Sequence, residues 1–232
     1  MALRPVHVFA LIIAGAGSIF LTVGLVFLIS DAPEQEAARV AALAVFDTST
    51  WKKATNGNYG ATVLVEGRIA VGTPPVFRNF VACSREKYAG TKIEGSGSSK
   101  RHVEQWSLIG VFAPPLRLEG PDAGLAVVNA DYELRVPRHA WRDEHVSSNI
   151  IKSVGERAAG FMVGDLVTVE GRVVEEGIEA VRLLGSDAAS YRAGTRRGVE
   201  TSHILGLVFT PLGFALIALG AFIAWYGSRK TG

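Results

Sequence analysis

The chain has 232 residues, a net charge of +2 and one cysteine, and 48% of its residues are apolar. So small a charge on so long a chain argues against a nucleic-acid binder, which would normally gather Lys and Arg into a stripe. The lone Cys83 excludes an internal disulfide and a cysteine-rich zinc site.

Residues 8–29 carry no charge and are long enough to cross roughly 30 Å of hydrocarbon as a helix. A cleaved signal peptide has a shorter apolar core and a small-x-small cleavage site, which Ile29-Ser30-Asp31-Ala32-Pro33 does not supply. Residues 1–30 therefore read as an uncleaved membrane helix. Ala10, Gly17 and Gly24 recur every seven residues along it and make one smooth face. A helical linker, 31–58, follows. Its helix over 32–46 has Ser30 or Asp31 as cap, Pro33 in the first turn and Glu34 and Glu36 at the positive end, and 52–58 form a turn.

From 59 to 184 the pattern is β, and it is organised around a repeat. Val65-Glu66-Gly67-Arg68 returns as Val169-Glu170-Gly171-Arg172, each copy in a run where β-branched residues alternate with others. Gly67 and Gly171 are expected to bend their strands, and the two copies to lie as neighbours in a small closed or half-closed barrel. Between them the sequence predicts a strand over 78–88 with Cys83 buried as a small hydrophobe, and a mobile Gly/Ser-rich loop over 90–100. Next come a tryptophan strand over 103–112, short strands at 116–118 and 125–128, and an alternating strand over 132–136. Residues 137–160 interrupt the β pattern, with a short helix expected over 148–157. The hairpin partner of the second repeat lies at 178–184.

A linker, 185–203, precedes the second uncharged stretch, 204–226, within a terminal segment 204–228. Gly206, Gly213 and Gly220 again fall every seven residues. Small residues let helix backbones approach closely in lipid, so the two spans are expected to pack antiparallel on these faces or on another subunit. Pro211 is expected to kink the second span, and Trp225 with Tyr226 to sit at the interface. The fold class is thus membrane α+β: two transmembrane helices flanking a single β-rich, OB-like or barrel-like soluble domain.

The order of Phe80-Val81-Ala82-Cys83-Ser84-Arg85-Glu86, Trp106, a Gly-Pro-Asp-Ala-Gly turn at 120–124 and Gly164-Asp165-Leu166-Val167-Thr168-Val169-Glu170-Gly171 between two spans resembles the GIDE-type, or MULAN-like, membrane proteins. Eukaryotic members of that family carry a RING finger after the second span and act as ubiquitin ligases. With one cysteine and few residues past Tyr226, the ligase activity is not expected here. The resemblance implies a compact β domain between two membrane helices, used for contact with other proteins.

No constellation for covalent or acid/base chemistry is apparent, and no cofactor is expected. His139, Asp143, Glu144 and His145 are the one dense group of ligand types, but their spacing matches no metal-binding helix, so a solvated loop is the simpler reading and no metal is expected. The expected function is a non-enzymatic structural, assembly or accessory subunit docked on a larger membrane complex. A free-standing extracytoplasmic module binding a peptide or glycan, and a metal-dependent hydrolase on the 139–145 loop, are the alternatives. Expected partners are the lipid bilayer and other membrane subunits, with Trp106, Trp141 and the 90–100 loop as possible contacts. The charge flanking the spans points to the inner membrane, with both termini cytoplasmic and 31–203 outside.

Overall fold

The computed structural model describes residues 5–51, 59–96, 99–120, 124–143 and 155–229. Helix α1 (Pro5–Ile29) and helix α2 (Ala32–Ala42) lead into strands β1 (Ala44–Asp47), β2 (Thr62–Ile69), β3 (Phe80–Glu94), β4 (Arg101–Phe112), β5 (Leu116–Glu119) and β6 (Leu125–Val127). Strands β7 (Glu133–Arg135), β8 (His139–Arg142), β9 (Glu156–Met162), β10 (Leu166–Val174) and β11 (Gly177–Leu184) follow, and helix α3 (Ala188–Arg229) ends the chain. The chain divides into two compact units, Met1–Ala42 with Arg192–Gly232, and Leu43–Tyr191.

In the helical unit, α1 and α3 each hold a stretch long and apolar enough to cross a membrane. The buried residues of α1 are Ala10, Gly17 and Gly24. They meet Gly220, Gly213 and Gly206 in reverse order. A Cβ added at Gly17 would lie 2.8 Å from the Gly213 carbonyl oxygen, and one at Gly220 would lie 2.9 Å from that of Ala10. The helices are therefore antiparallel, with backbones too close for a Cβ at the glycines of these faces. Beside this seam the Phe20 and Phe209 rings lie 5.6 Å apart. Helix α2 is tied to α3 where Glu34 meets His203 at 2.9 Å and the Arg192 guanidinium donates to the Val40 carbonyl.

In the β unit a five-stranded barrel closes in the order β2-β10-β11-β6-β5 and back to β2. All its neighbours are antiparallel except β11 and β6. Strands β1 and β7 run parallel alongside β2 and β11. The two repeat strands pair directly, with Val65 opposite Val169, Val63 opposite Gly171 and Gly67 opposite Val167. Period-two alternation sends Val63, Val65, Ile69, Val167, Val169 and Val173 into the core, where Leu118, Leu125, Ile178 and Leu183 meet them. Phe161 is also fully buried there, which contributes about 2–3 kcal/mol. A second, antiparallel sheet has the order β4-β3-β9-β8.

Several elements differ from the expectation. The 32–46 helix stops at Ala42, because Val45 and Phe46 pair with Leu64 and Val65 as strand β1. Residues 52–58 lie outside the described residues. The 90–100 loop is mostly strand: β3 runs on to Glu94 and β4 begins at Arg101, since the backbone pairing of Thr91, Lys92 and Ile93 with Glu104, Val103 and His102 outweighs their weak local signal. Residues 97 and 98 lie outside the described residues. The helix expected over 148–157 falls outside them up to residue 154, and Glu156 and Arg157 belong to β9. The 185–203 linker is helical from Ala188. Asp187 caps it, its carboxylate accepting the Ser190 N–H at 2.6 Å, and the alanines and arginines after it outweigh Gly194 and Gly198.

The two strand glycines behave differently. At Gly171 the ladder from β10 to β11 shifts register by one residue. At Gly67 the ladder to β10 runs on without a shift. A Cβ there would lie 2.8 Å from the Thr48 methyl and 3.0 Å from Leu118 Cβ, so this glycine admits neighbours instead of bending a strand.

Candidate functional site

The outer face of the repeat strands holds the start of α3. Alternation points Leu64, Glu66, Thr168 and Glu170 away from the barrel interior, which would leave them in water. Ala188 and Tyr191, in the first turn of α3, cover them together with Leu43. The Glu66 carboxylate accepts the Ala188 N–H at 2.6 Å, so a repeat glutamate meets the positive end of a helix. The other repeat glutamate, Glu170, is 1% exposed and accepts from Tyr191 Oη at 2.9 Å and from the Arg182 guanidinium at 3.1 Å. Arg182 also reaches Glu133 on β7. Asp187 is held below the usual carboxylate range by the hydrogen bonds from Ser190.

The four-stranded sheet is strongly curled. Arg142 on β8 and Glu104 on β4 lie on opposite outer strands, which a flat sheet would separate by about 14 Å at ~4.8 Å per strand. In register, Arg142 is in line with Arg157, Glu86 and then Leu108, a further four residues along β4 from Glu104. Yet Arg142 and Glu104 pair at 2.6 Å. Register shifts at Arg85/Glu86 and at Tyr88/Gly90 supply the bend that folds the β3–β4 hairpin over the sheet. Trp106 rides on that hairpin. The guanidinium of Arg157 lies 4.6 Å and that of Arg142 5.3 Å from its ring, and Tyr88 meets its edge. On the other side of the sheet, Arg78 lies 3.8 Å over Trp141, which packs edge-on against Phe77.

The curl leaves the outer edge of β4 open. Residues 105–112 carry no charge. Leu108 is 61% and Val111 45% exposed, with Ile109, Phe112 and Val103 exposed beside them. Among the described residues no strand pairs with that edge.

A groove of about 740 Å³ lies on the barrel's other flank, lined among others by Val71, Pro74, Pro115, Arg117, Glu119 and Glu176. Strand β5 buries Leu116 and Leu118 and turns Arg117 and Glu119 outward. Glu119 is already engaged, accepting the Val71 N–H at 2.7 Å. Arg117 makes no side-chain hydrogen bond or ion pair among the described residues.

Compared with known protein families, characterised proteins and solved structures, the chain matches none.

The candidate residues of the sequence are thus placed as follows. Ala10, Gly17, Gly24, Gly206, Gly213 and Gly220 come together as one seam, while Gly67 and Gly171 lie in paired strands of the barrel. Trp106 and Trp141 are each half-buried and stacked within the β unit. Cys83 is buried in β3, and burial pushes its thiol up against the smaller opposite pull of Arg85. Of the 139–145 group, His139 pairs with Asp165 at 2.8 Å across the turn from β9 to β10. The Asp143 N–H donates to the Glu156 carbonyl, and Glu144 and His145 lie outside the described residues. Among the described residues no three His, Cys, Asp or Glu side chains converge. Sequence reasoning missed the roles of Glu66 and Glu170. The signal for the glutamates was a carboxylate at the same outward position in both copies of the repeat.

Proposed function

We propose that this chain is a membrane-anchored, non-enzymatic docking subunit, which holds its partner by adding one of the partner's extended segments to the outer edge of β4. The open edge of β4 carries the reading: an unpaired ladder with exposed apolar side chains and no charge from 105 to 112. An edge of that kind recognises an extended segment by backbone pairing, and the lack of charge suits an uncharged, apolar partner strand. Its exposed apolar residues lie outside the apolar helices, so the need to span a membrane does not account for them. The glycine seam is used within the chain, so attachment falls to the β unit.

The resemblance to the GIDE-type proteins supports contact with other proteins as the role of this domain. The barrel's strand order and its one parallel pair support an OB-like reading. The two apolar helices support membrane insertion, and the charges flanking them are the ground for the reading of an inner membrane with both termini cytoplasmic.

The test is native mass spectrometry after purification in mild detergent. Wild type is expected to bring stoichiometric partner subunits, and Leu108→Lys with Val111→Lys to lose them while the β unit melts as before. A wild-type chain that purifies alone, or partners retained by the double lysine variant, would overturn the reading.

A further inference from the structure

Resting on the docking function above, we propose that its partner is a second copy of this chain, each copy laying its β4 antiparallel against the outer edge of the other's. Among the described residues, β1, β4, β7 and β8 have a ladder on one side only. Strands β1, β7 and β8 are three or four residues long, and each carries charge: Asp47 on β1, Glu133 and Arg135 on β7, and Arg142 on β8. Short length and charge keep a sheet edge from pairing with another chain. Strand β4 lacks both, since it is 12 residues long and no charge falls between residues 105 and 116. The carboxylate next to that run is neutralised within its own chain, because Glu104 pairs with Arg142 and accepts from Trp106 Nε1.

Charge and symmetry select the second copy. Leu108 and Val111 lie opposite Glu86 and Ser84, two residues apart on β3, so the register shift between them brings both onto one face of the sheet. An antiparallel pair centred between Ile109 and Gly110 then sets Leu108 of each copy opposite Val111 of the other. These two side chains, 61% and 45% exposed in one chain, become the cross-strand apolar contact that stabilises a sheet. No charge meets a charge in this pairing, because the uncharged run faces itself. The contact is also closed, as each β4 covers the other's edge about a two-fold axis. The joined sheet runs from one β8 through both β4 strands to the other β8, and those short, charged edges stop further addition. Pairing of β4 with the β8 edge of another copy would repeat without end, and a foreign strand would leave its own far side unpaired. Self-pairing removes the one long uncharged edge and creates no other.

The experiment co-expresses two copies of the full chain with different tags, purifies through one tag in mild detergent, and reads the second tag and the native mass. Wild type is expected to retain the second tag at the mass of two chains. Leu108→Lys with Val111→Lys in both copies faces lysine with lysine and is expected to lower the retained tag about tenfold, and Leu108→Glu with Val111→Glu to do the same. The lysine variant in one copy with the glutamate variant in the other is expected to restore it, which also shows that both fold. A milder pair, Leu108→Cys in one copy and Val111→Cys in the other, each with Cys83→Ser, is expected to link the copies on gentle oxidation. Wild type carrying a different subunit and no second copy, with that subunit lost in the lysine variant, overturns this inference and leaves the docking function standing. Wild type that purifies alone overturns both. A second tag retained by the lysine variant, or absence of the cysteine link, overturns the pairing through β4.

Discussion

Replacing Glu170 by alanine removes a fully buried carboxylate and leaves the Arg182 guanidinium, itself only 23% exposed, with Glu133 as its remaining carboxylate partner. Stranding one member of a buried pair typically costs 3–5 kcal/mol, and the retained partner places this case at the lower end, about 3 kcal/mol. Tyr191→Phe removes a hydroxyl that donates to Glu170 and accepts from Arg182, and is expected to cost about 2 kcal/mol. Denaturant titration of the full chain in detergent measures both. Because the two side chains touch, the double variant is expected to cost less than the sum. Asp47 offers a test in pH. Hydrogen bonds from the Ser49 and Thr50 hydroxyls, then from the Thr50 N–H, hold its carboxyl at about 2, against an ordinary 3.8. A group whose folded value is depressed contributes fully above its unfolded value and loses that contribution as pH falls through the folded one. The stability of wild type is therefore expected to decline between pH 4 and pH 2 more steeply than that of Asp47→Asn, read as the melting temperature at each pH.

Among the elements, the helix pair gives the sharpest outcome. A Cβ at Gly213 would lie 2.5 Å from the Leu21 backbone nitrogen, so Gly213→Leu must push the helices apart. In a Cys83→Ser background, Phe20→Cys with Phe209→Cys is expected to form a crosslink on mild oxidation, since the two rings now face each other. Adding Gly213→Leu is expected to reduce the crosslinked fraction severalfold on a denaturing gel. These helix faces were legible in the sequence because a seven-residue spacing is a local property of one helix. The pairing of the repeat strands was legible for a related reason, as each copy carries its own alternation. The extent of β3 and β4 was not. Gly90 and the Gly/Ser run after Glu94 have poor strand propensity, and it is pairing with another segment, 101–105 across the hairpin, that makes residues 90–94 a ladder. The groove was hidden for the same cause: Val71, Arg117 and Glu176 come from three segments that meet only when the barrel closes. Gly67 shows the limit of analogy, since its twin Gly171 shifts a register while it merely makes room.

At the scale of the whole molecule, the proposed insertion of both apolar helices carries a prediction of sidedness, with both termini expected on one side of the membrane and the β unit on the other. A cysteine introduced at Ala2 and another at Ser96, each in the Cys83→Ser background, are expected to react with an impermeant maleimide from opposite sides of sealed vesicles; labelling of both from one side would refute the arrangement. The seating of Tyr191 and Ala188 on the repeat strands also bears on biosynthesis. A ribosome delivers β2 early and β10 about a hundred residues later, but the carboxylates of Glu66 and Glu170 find their covers only when residues 187–191 emerge. A nascent chain halted before that point holds a barrel with a charged, undressed flank. Its last native contacts are made by the segment that leads straight into the next apolar stretch. Completion of the domain therefore waits on the segment that opens α3, and a chain cut short before residue 187 is left with an unfinished barrel flank.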